Sequence, residues 1–481
     1  MSDAPEFAGL VPDPAPFPSF PDSFVWGTAT AAYQIEGSPD VDGKGPSVWD
    51  TFTHLEGKVL TGETGDVAAD HYRRWESDLD LMAELGVNAY RFSVSWPRVV
   101  PDGDGGLEQR GLDFYDRLVD GMLARGIAPY ATLFHWDLPQ ALEDAGGWLD
   151  RRTPEAFARY AAMVGERLGD RVAAWITLNE PFVHASYGYA FGVHAPGRFL
   201  VTGIWPVVHH QLLGHGLAVQ ALRAAGVRGG IGLTNNTSPV VPLDPASEGD
   251  RAAAEAMDIL YNRQFWDPVL LGEQPLDPAA YLGSDLSVVR EGDADIIATP
   301  IDFAGVNYYN PQWVKAAAPD NPLGFEIAEA PAELPRTHFR WPVLPSGLTD
   351  LLVGMRERYG DALPPLYVTE NGTSCADVIG DDGRVHDAAR IAYLDRHLRA
   401  VHEARARGVD VRGYFHWTFT DNFEWAEGFE QRFGVVHLDT ATQVRTPKDS
   451  FAWYRGVVTG AAAGRGGDVL AREALADEVI A

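Results

Sequence analysis

Two glutamates in this sequence each stand where an apolar run meets an amide. Glu180 belongs to WITLNEP (175–181), with Asn179 before it and Pro181 after it, and Glu370 belongs to YVTENG (367–372), with Asn371 beside it. A pair of carboxyl groups suits cleavage of a glycosidic bond: one protonates the leaving oxygen while the other attacks or activates water. Amides and aromatics recur at comparable places, namely Gln34, His135-Trp136, Asn235-Asn236, Asn307 with Tyr309, Trp417 and Glu424-Trp425, together with Arg91. A sugar offers an apolar ring face for stacking and paired hydroxyls for amides, so this set fits the same reaction. The carboxylates and His135 could also serve a metal-dependent reaction. That chemistry wants several Asp, Glu or His at neighbouring positions, and Asn and Trp fill most of them.

Most of these residues fall at or near the ends of short strand-like runs, with Gln34 and Glu424-Trp425 shortly beyond one. The runs are FVWGTAT (24–30), NAYRFSVSW (88–96), APYATLFHW (128–136), AAWITLNE (173–180), GGIGLTNN (229–236), DFAGVNYY (302–309), PLYVTEN (365–371) and VRGYFHWTF (411–419). Segments with helical periodicity separate them, such as 70–86, 111–126, 154–169 and 388–408, several ending in Gly as a helix C-terminus should. Eight alternating units without a break predict an α/β fold, a single (β/α)8 TIM barrel with elaborated βα loops, whose active site gathers at the C-terminal strand ends. A doubly wound sheet would want a Gly-rich phosphate loop after its first strand, and TAAYQIEG stands there instead. The expected organisation is a Pro-rich arm over 1–20, the catalytic barrel over 21–459 and a flexible tail over 460–481.

With a formal charge of −30, the chain is a poor partner for nucleic acid or anionic membrane, both of which need a positive field. The charge is neutral toward uncharged sugars, and most of it serves to keep a surface solvated. One cysteine, Cys375, excludes an intramolecular disulfide and argues against a Cys-based metal site. The first residues lack the basic start and apolar run of a signal peptide, and no window reaches 18 uninterrupted apolar residues, so a cytoplasmic protein is expected. The composition is compatible with a monomer or a homo-oligomer. His209, His210 and His215 fall in an apolar helical run without the spacing of a metal pair and are read as packing or surface groups.

The residues also resemble those of a known family, the retaining β-glycosidases of glycoside hydrolase family 1, typified by bacterial β-glucosidases. The similarity runs from about residue 20 to about 456. It is carried by FVWGTATAAYQIEG (24–37), YRFSVSWPR (90–98), FHWDLPQAL (134–142), TLNEP (177–181), GVNYY (305–309), YVTENG (367–372) and HWTFTDNFEWAEGFEQRFGVVHLD (416–439). The resemblance implies Glu180 as general acid/base and Glu370 as nucleophile. It implies Gln34, His135, Asn179 and Glu424 as hydrogen-bonding partners of the cleaved sugar, Trp136 and Trp425 as indole N–H donors to it, and Trp417 as its floor. Arg91 and Tyr309 would hold the nucleophile ionised and aimed, and Trp341 would form a wall for the leaving group, with Asn235 a weaker candidate there. The sequence departs at His416 and Thr418, which flank Trp417 where a small apolar residue and Ser are usual, and at Thr373-Ser374-Cys375 after the nucleophile motif.

A retaining mechanism asks the two carboxyl groups to lie roughly 5–5.5 Å apart. No metal or organic cofactor enters it. The expected substrates are small β-glycosides and short cello-oligosaccharides, placing the protein in cellulose degradation. Three rivals share the fold. A 6-phospho-β-glycosidase needs cationic groups where Glu424-Trp425 stands, a thioglycosidase lacks the acid/base glutamate, and a non-catalytic sugar-binding barrel loses one or both glutamates.

Overall fold

The computed structural model describes residues 6–275, 285–318, 321 and 323–460. Eight parallel strands close into a barrel: β1 (Val25–Ala29), β2 (Ala89–Ser93), β3 (Ala128–Phe134), β4 (Ala174–Asn179), β5 (Gly230–Asn236), β6 (Phe303–Asn307), β7 (Leu366–Asn371) and β8 (Val411–Trp417). Each lies beside its neighbours in the chain, and β8 completes the ring on β1, with Val25 opposite Gly413 and Ala29 opposite Trp417. Strands covered on both faces need no polar side. Hence β4, AWITLN, is buried at every position.

Helices run back outside the barrel between strands. They include α1 (His71–Leu85), α2 (Gln109–Ala124), α3 (Arg152–Leu168), α4 (Trp205–Ala224), α5 (Gln264–Leu270), α6 (Pro345–Tyr359), α7 (Ala388–Ala406) and α8 (Asp449–Val458). The reversal after α1 falls at Gly86 (φ +82°), whose N–H returns to the carbonyls of Met82 and Ala83. In the lower barrel, Tyr130, Phe303, Tyr367 and Phe415 from four strands pack ring against ring at 4.9–5.9 Å. This layer fills the barrel interior at that level. The histidines of α4 are internal: His209 meets Asp293, His210 the Trp148 carbonyl and His215 the Thr177 hydroxyl. Trp453 of α8 is buried edge-on against Phe17 of the N-terminal arm.

The βα loops carry what periodicity could not announce. A three-stranded sheet (Val240–Pro242, Gln312–Ala316, Phe325–Ala328) stands beside the open end, and π-helical turns occur at His184–Ala190 and Ile259–Arg263. Strands of three to five residues are too short for alternation to register. The first turn after β4 also begins directly at Pro181, where proline's fixed φ suits a helix start. Of the expected tail, residues 461–481 lie outside the described residues, as do residues 1–5 of the arm. Among the described residues no helix is long and apolar enough to cross a membrane.

Candidate active site

The open end of the barrel holds a cleft of about 630 Å³, reached by Glu180, Glu370, Glu424, His135, Trp417 and Trp341 among others. Below both central glutamates the ladder is irregular. The β7 register shifts between Val368 and Glu370 against β6, and the β4 register shifts between Ile176 and Asn179 against β5. Such irregularities re-aim the residue above them. Gly372 lets the β7 end approach β8 closely, since a Cβ there would sit 1.8 Å from the Trp417 carbonyl oxygen. Three residues on the cleft wall hold left-handed backbones despite their side chains: Trp136 (φ +75°), Glu180 (φ +48°) and Trp425 (φ +52°). Each such conformation costs on the order of 1–3 kcal/mol and persists where surrounding packing enforces it.

The two glutamates are held differently. Arg91, rising from β2, donates from Nη1 to Glu370 Oε1 at 2.5 Å, and Tyr309 donates its hydroxyl to Glu370 Oε2 at 2.8 Å. Arg91 Nη2 reaches Asn179 Oδ1 at 2.6 Å, and Nε reaches Thr132 Oγ1 at 3.2 Å. Among the described residues Glu180 accepts only from an amide, Asn307 Nδ2 at 2.7 Å. Thr369 fixes that amide by donating to Asn307 Oδ1 at 2.7 Å, and the same Nδ2 also meets Asn179 Oδ1 at 3.1 Å. Asn307 thus joins the two halves of the site. Its place at a strand end was legible, but its role was not, because its partner Glu180 is 127 residues away in sequence.

Burial pushes both carboxyls above their ordinary range, Glu180 the further of the two. Charge on Glu370 adds to the rise at Glu180 against the Asn307 amide and the Arg91 charge, whereas Glu370 is opposed by Arg91 through both charge and contact and by Tyr309. A single proton shared by the pair therefore belongs on Glu180. Burial, then the charges of Glu370 and Glu427, push Glu424 up to about 8, against a weak opposing contact from Gln34. Burial and the Arg91 charge hold His135 well below its ordinary value, so it is neutral. Asn179 Nδ2 lies 3.0 Å from His135 Nε2, which makes that ring nitrogen the acceptor and puts the proton on Nδ1.

Around this pair the structure gathers most of the residues expected there. Gln34 Nε2 donates to the Phe423 carbonyl at 2.9 Å and Glu424 Oε2 at 3.3 Å, leaving its own Oε1 without a partner among the described residues. Trp417 stacks near His135 (5.9 Å, 23°), and Trp425 packs on Trp136 at 4.6 Å. Trp341 stacks on Phe339 at 4.4 Å and 17°, beside Tyr309 and Phe433.

Two expectations need correction. Trp136 does not present its indole N–H to the cleft: Nε1 donates to the Asn179 carbonyl at 2.9 Å, so the ring braces β4 instead. Asn235 does not form the leaving-group wall. Side chains alternate along a strand, and Thr234 of β5 points inward to Thr369. Asn235 is therefore turned to the other face and buried, while Asn236 lines the cleft. Asn371 likewise serves the frame, donating to the Tyr308 carbonyl and the Tyr393 hydroxyl. Among the described residues, no three His, Cys, Asp or Glu side chains converge as metal ligands.

The chain is similar to known proteins over nearly its whole length. The family described as glycosyl hydrolase family 1 matches residues 17–462. A beta-glucosidase A of Thermotoga maritima is 44% identical over 91% of this chain and 97% of its own length. A bifunctional beta-D-glucosidase/beta-D-fucosidase of Bifidobacterium breve is 46% identical over 91% and 97%. A family 1 β-glucosidase from Thermotoga maritima, solved in complex with isofagomine lactam, superposes with a TM-score of 0.86 at 43% identity, covering 92% of this chain and 99% of that one.

Proposed function

Because the chain belongs to glycosyl hydrolase family 1, we propose that it is a β-glucosidase in which Glu370 attacks and Glu180 moves the proton. The substrates are terminal non-reducing β-D-glycosyl residues, those of glucosides, fucosides, galactosides and short cello-oligosaccharides. The observation that carries the reading is the asymmetry of the two carboxyls. Glu370 has both oxygens claimed by Arg91 and Tyr309, whereas among the described residues Glu180 accepts from one amide and is paired with no cation.

In the first step the Glu370 carboxylate bonds to the anomeric carbon as the bond to the leaving oxygen breaks, and Glu180 gives that oxygen its proton. The product is a glycosyl ester on Glu370, with the negative charge now on Glu180. Esterification removes the Glu370 charge that had held the Glu180 proton in place, so Glu180 becomes a competent base. In the second step it takes a proton from water, whose oxygen displaces Glu370 and restores both groups. Trp417 supplies the apolar floor, and Gln34, His135, Asn179, Glu424 and Trp425 meet the hydroxyls. Trp425 is the indole left to donate, since Trp136 is committed to Asn179. A phosphorylated sugar is not favoured: Glu424 is flanked by the charges of Glu370 and Glu427, which repel phosphate.

The test is Glu180→Ala. Rate on alkyl β-glucosides should fall about 10³-fold, with a much smaller loss in the first step on activated aryl glucosides. Added azide should restore turnover on the aryl substrate and yield the β-glucosyl azide. Equal losses on both substrate classes, or an α-configured azide, would remove Glu180 from this role.

A further inference from the structure

Four arginines are buried among the described residues: Arg91, Arg98, Arg336 and Arg390. Three of them face carboxylates, Arg91 with Glu370, Arg98 with Glu36, and Arg390 with Asp377 and Asp387. Arg336 has no carboxylate within ion-pairing distance among the described residues, although it is only 7% exposed. Its Nη2 donates to the carbonyls of Ala330 and Pro331 at 2.8 and 3.2 Å, and its Nε and Nη1 make no hydrogen bond there. A buried guanidinium without an anion is unfavourable unless something else answers it.

Arg336 lines the same cleft as the two glutamates, on its leaving-group side. It is carried by a tight turn in which Arg336 pairs with Pro342 and the Thr337 N–H meets the Trp341 carbonyl. That turn also carries the stacked rings of Phe339 and Trp341. One wall therefore offers an aromatic face and an unanswered planar donor fork, while the sugar end holds Glu180, Glu370 and Glu424. Glu329 lines this wall as well, but it is exposed and does not pair with Arg336. An aryl ring on Trp341 with a carboxylate reaching Arg336 would satisfy both features. The guanidinium matches a carboxylate with two parallel N–H donors.

We infer that Arg336 makes the leaving-group site selective for β-glycosides whose aglycone is an aromatic ring bearing a carboxylate. This rests on the β-glucosidase reading and names the substrate class that reading leaves open. The chemistry is unchanged: Glu180 protonates the phenolic oxygen, and the carboxylate stays ionised on Arg336.

The test compares the β-glucoside of 4-hydroxycinnamic acid with that of its methyl ester, with 4-nitrophenyl β-glucoside as reference. The wild type should show a lower KM for the acid than for the ester. The acid-to-ester ratio of kcat/KM should fall about tenfold in Arg336→Gln, as expected for loss of a charge-assisted hydrogen bond, and recover in part in Arg336→Lys. A ratio equal in wild type and Arg336→Gln overturns the inference. Should Arg336→Gln fail to fold, product inhibition of the wild type decides: free 4-hydroxycinnamate must inhibit more strongly than its ester, and the reverse order overturns the proposal. If the wild type cleaves none of the three glucosides, the β-glucosidase reading fails and takes this one with it. Cleavage of ester and reference without selectivity for the acid sinks this inference alone.

Discussion

Two of the clusters of carboxylates buried among the described residues differ in how many cations meet them: in the first Asp377 is pulled down although Asp387 stays raised, and in the second the carboxyls stay raised. Behind β7 and β8, Arg390 and Lys448 face Asp377, Asp387 and Asp421, with Lys448 Nζ 2.6 Å from Asp377 and 2.7 Å from Asp421. Backbone and hydroxyl donors complete the set: the Ser450 N–H and hydroxyl meet Asp387, and the Gly434 N–H meets Asp421. In the cleft, among the described residues, Glu370 alone of the three glutamates Glu180, Glu370 and Glu424 is paired with a cation, Arg91. Burial pushes carboxyls up in both places. At Asp377 it is overcome by Arg390 and Lys448, which pull that group down to about 2. At Glu180 the Asn307 amide and the Arg91 charge oppose burial without overcoming it, and at Glu424 the Gln34 contact does no more. Charge matched by cations holds a fold together, and charge left short of cations keeps protons available for chemistry.

The largest effect should come from the cleft. Glu370→Gln removes the carboxylate that Arg91 and Tyr309 orient, and turnover should fall by roughly 10⁴-fold or more with the circular dichroism spectrum unchanged. Substantial remaining activity would mean that this carboxylate is not the nucleophile. Next in size is Lys448→Met, which leaves Asp377 and Asp421 facing each other without the ammonium. Denaturant unfolding should show a loss of about 3–5 kcal/mol, while kcat of the folded fraction stays close to wild type. An unchanged midpoint would show that the cluster is not a source of stability.

Acid should sharpen the contrast. The Asp377 carboxyl titrates near 2 when folded against about 3.9 when unfolded, so the unfolded chain binds the extra proton first. Its contribution, on the order of 2 kcal/mol, is complete above about pH 5 and is lost as pH falls through that interval. Asp377→Asn should therefore flatten the acid limb of the stability curve, and an unaltered limb would assign acid unfolding to other groups. The smallest effect has the opposite sign. Glu180 is raised in the fold, so the native state holds a proton that the unfolded state releases above the usual carboxylate range, and stability declines as pH rises from there. Glu180→Gln removes that penalty and should raise Tm at pH 7 by roughly 1–2 °C, a gain that should vanish near pH 4. A lower Tm at neutral pH would contradict an unmatched, proton-holding Glu180.

The eight barrel strands were legible because each is an apolar run whose both faces are covered, bounded by turns and separated by segments of helical period. The short sheet beside the cleft and the π-helical turns were not, since their form depends on what they pack against. Within the site, Glu180 and Glu370 announced themselves as carboxylates ending buried runs. Asn235 and Asn236 were not separable, because one residue of register decides which of them faces the cleft. Nothing in HWDLP shows that the Asn179 carbonyl will lie 2.9 Å from the Trp136 indole nitrogen, so the donor role that the resemblance implies for it is decided by the fold.

By itself the sequence determined the order of strands and helices, the two carboxyl groups and the aromatic and amide residues at the strand tips. These depend on local pattern, which a chain carries in its own spacing. The tertiary structure alone decided where each proton and donor goes. It put Arg91 and Tyr309 on one glutamate and, among the described residues, a single amide on the other, tied the Trp136 indole to a backbone carbonyl, and left Arg336 without a carboxylate among those residues. Those outcomes turn on burial and on distances of about 3 Å between residues tens to hundreds of positions apart, and hydrogen bonding decays too steeply with distance for spacing along the chain to stand in for it.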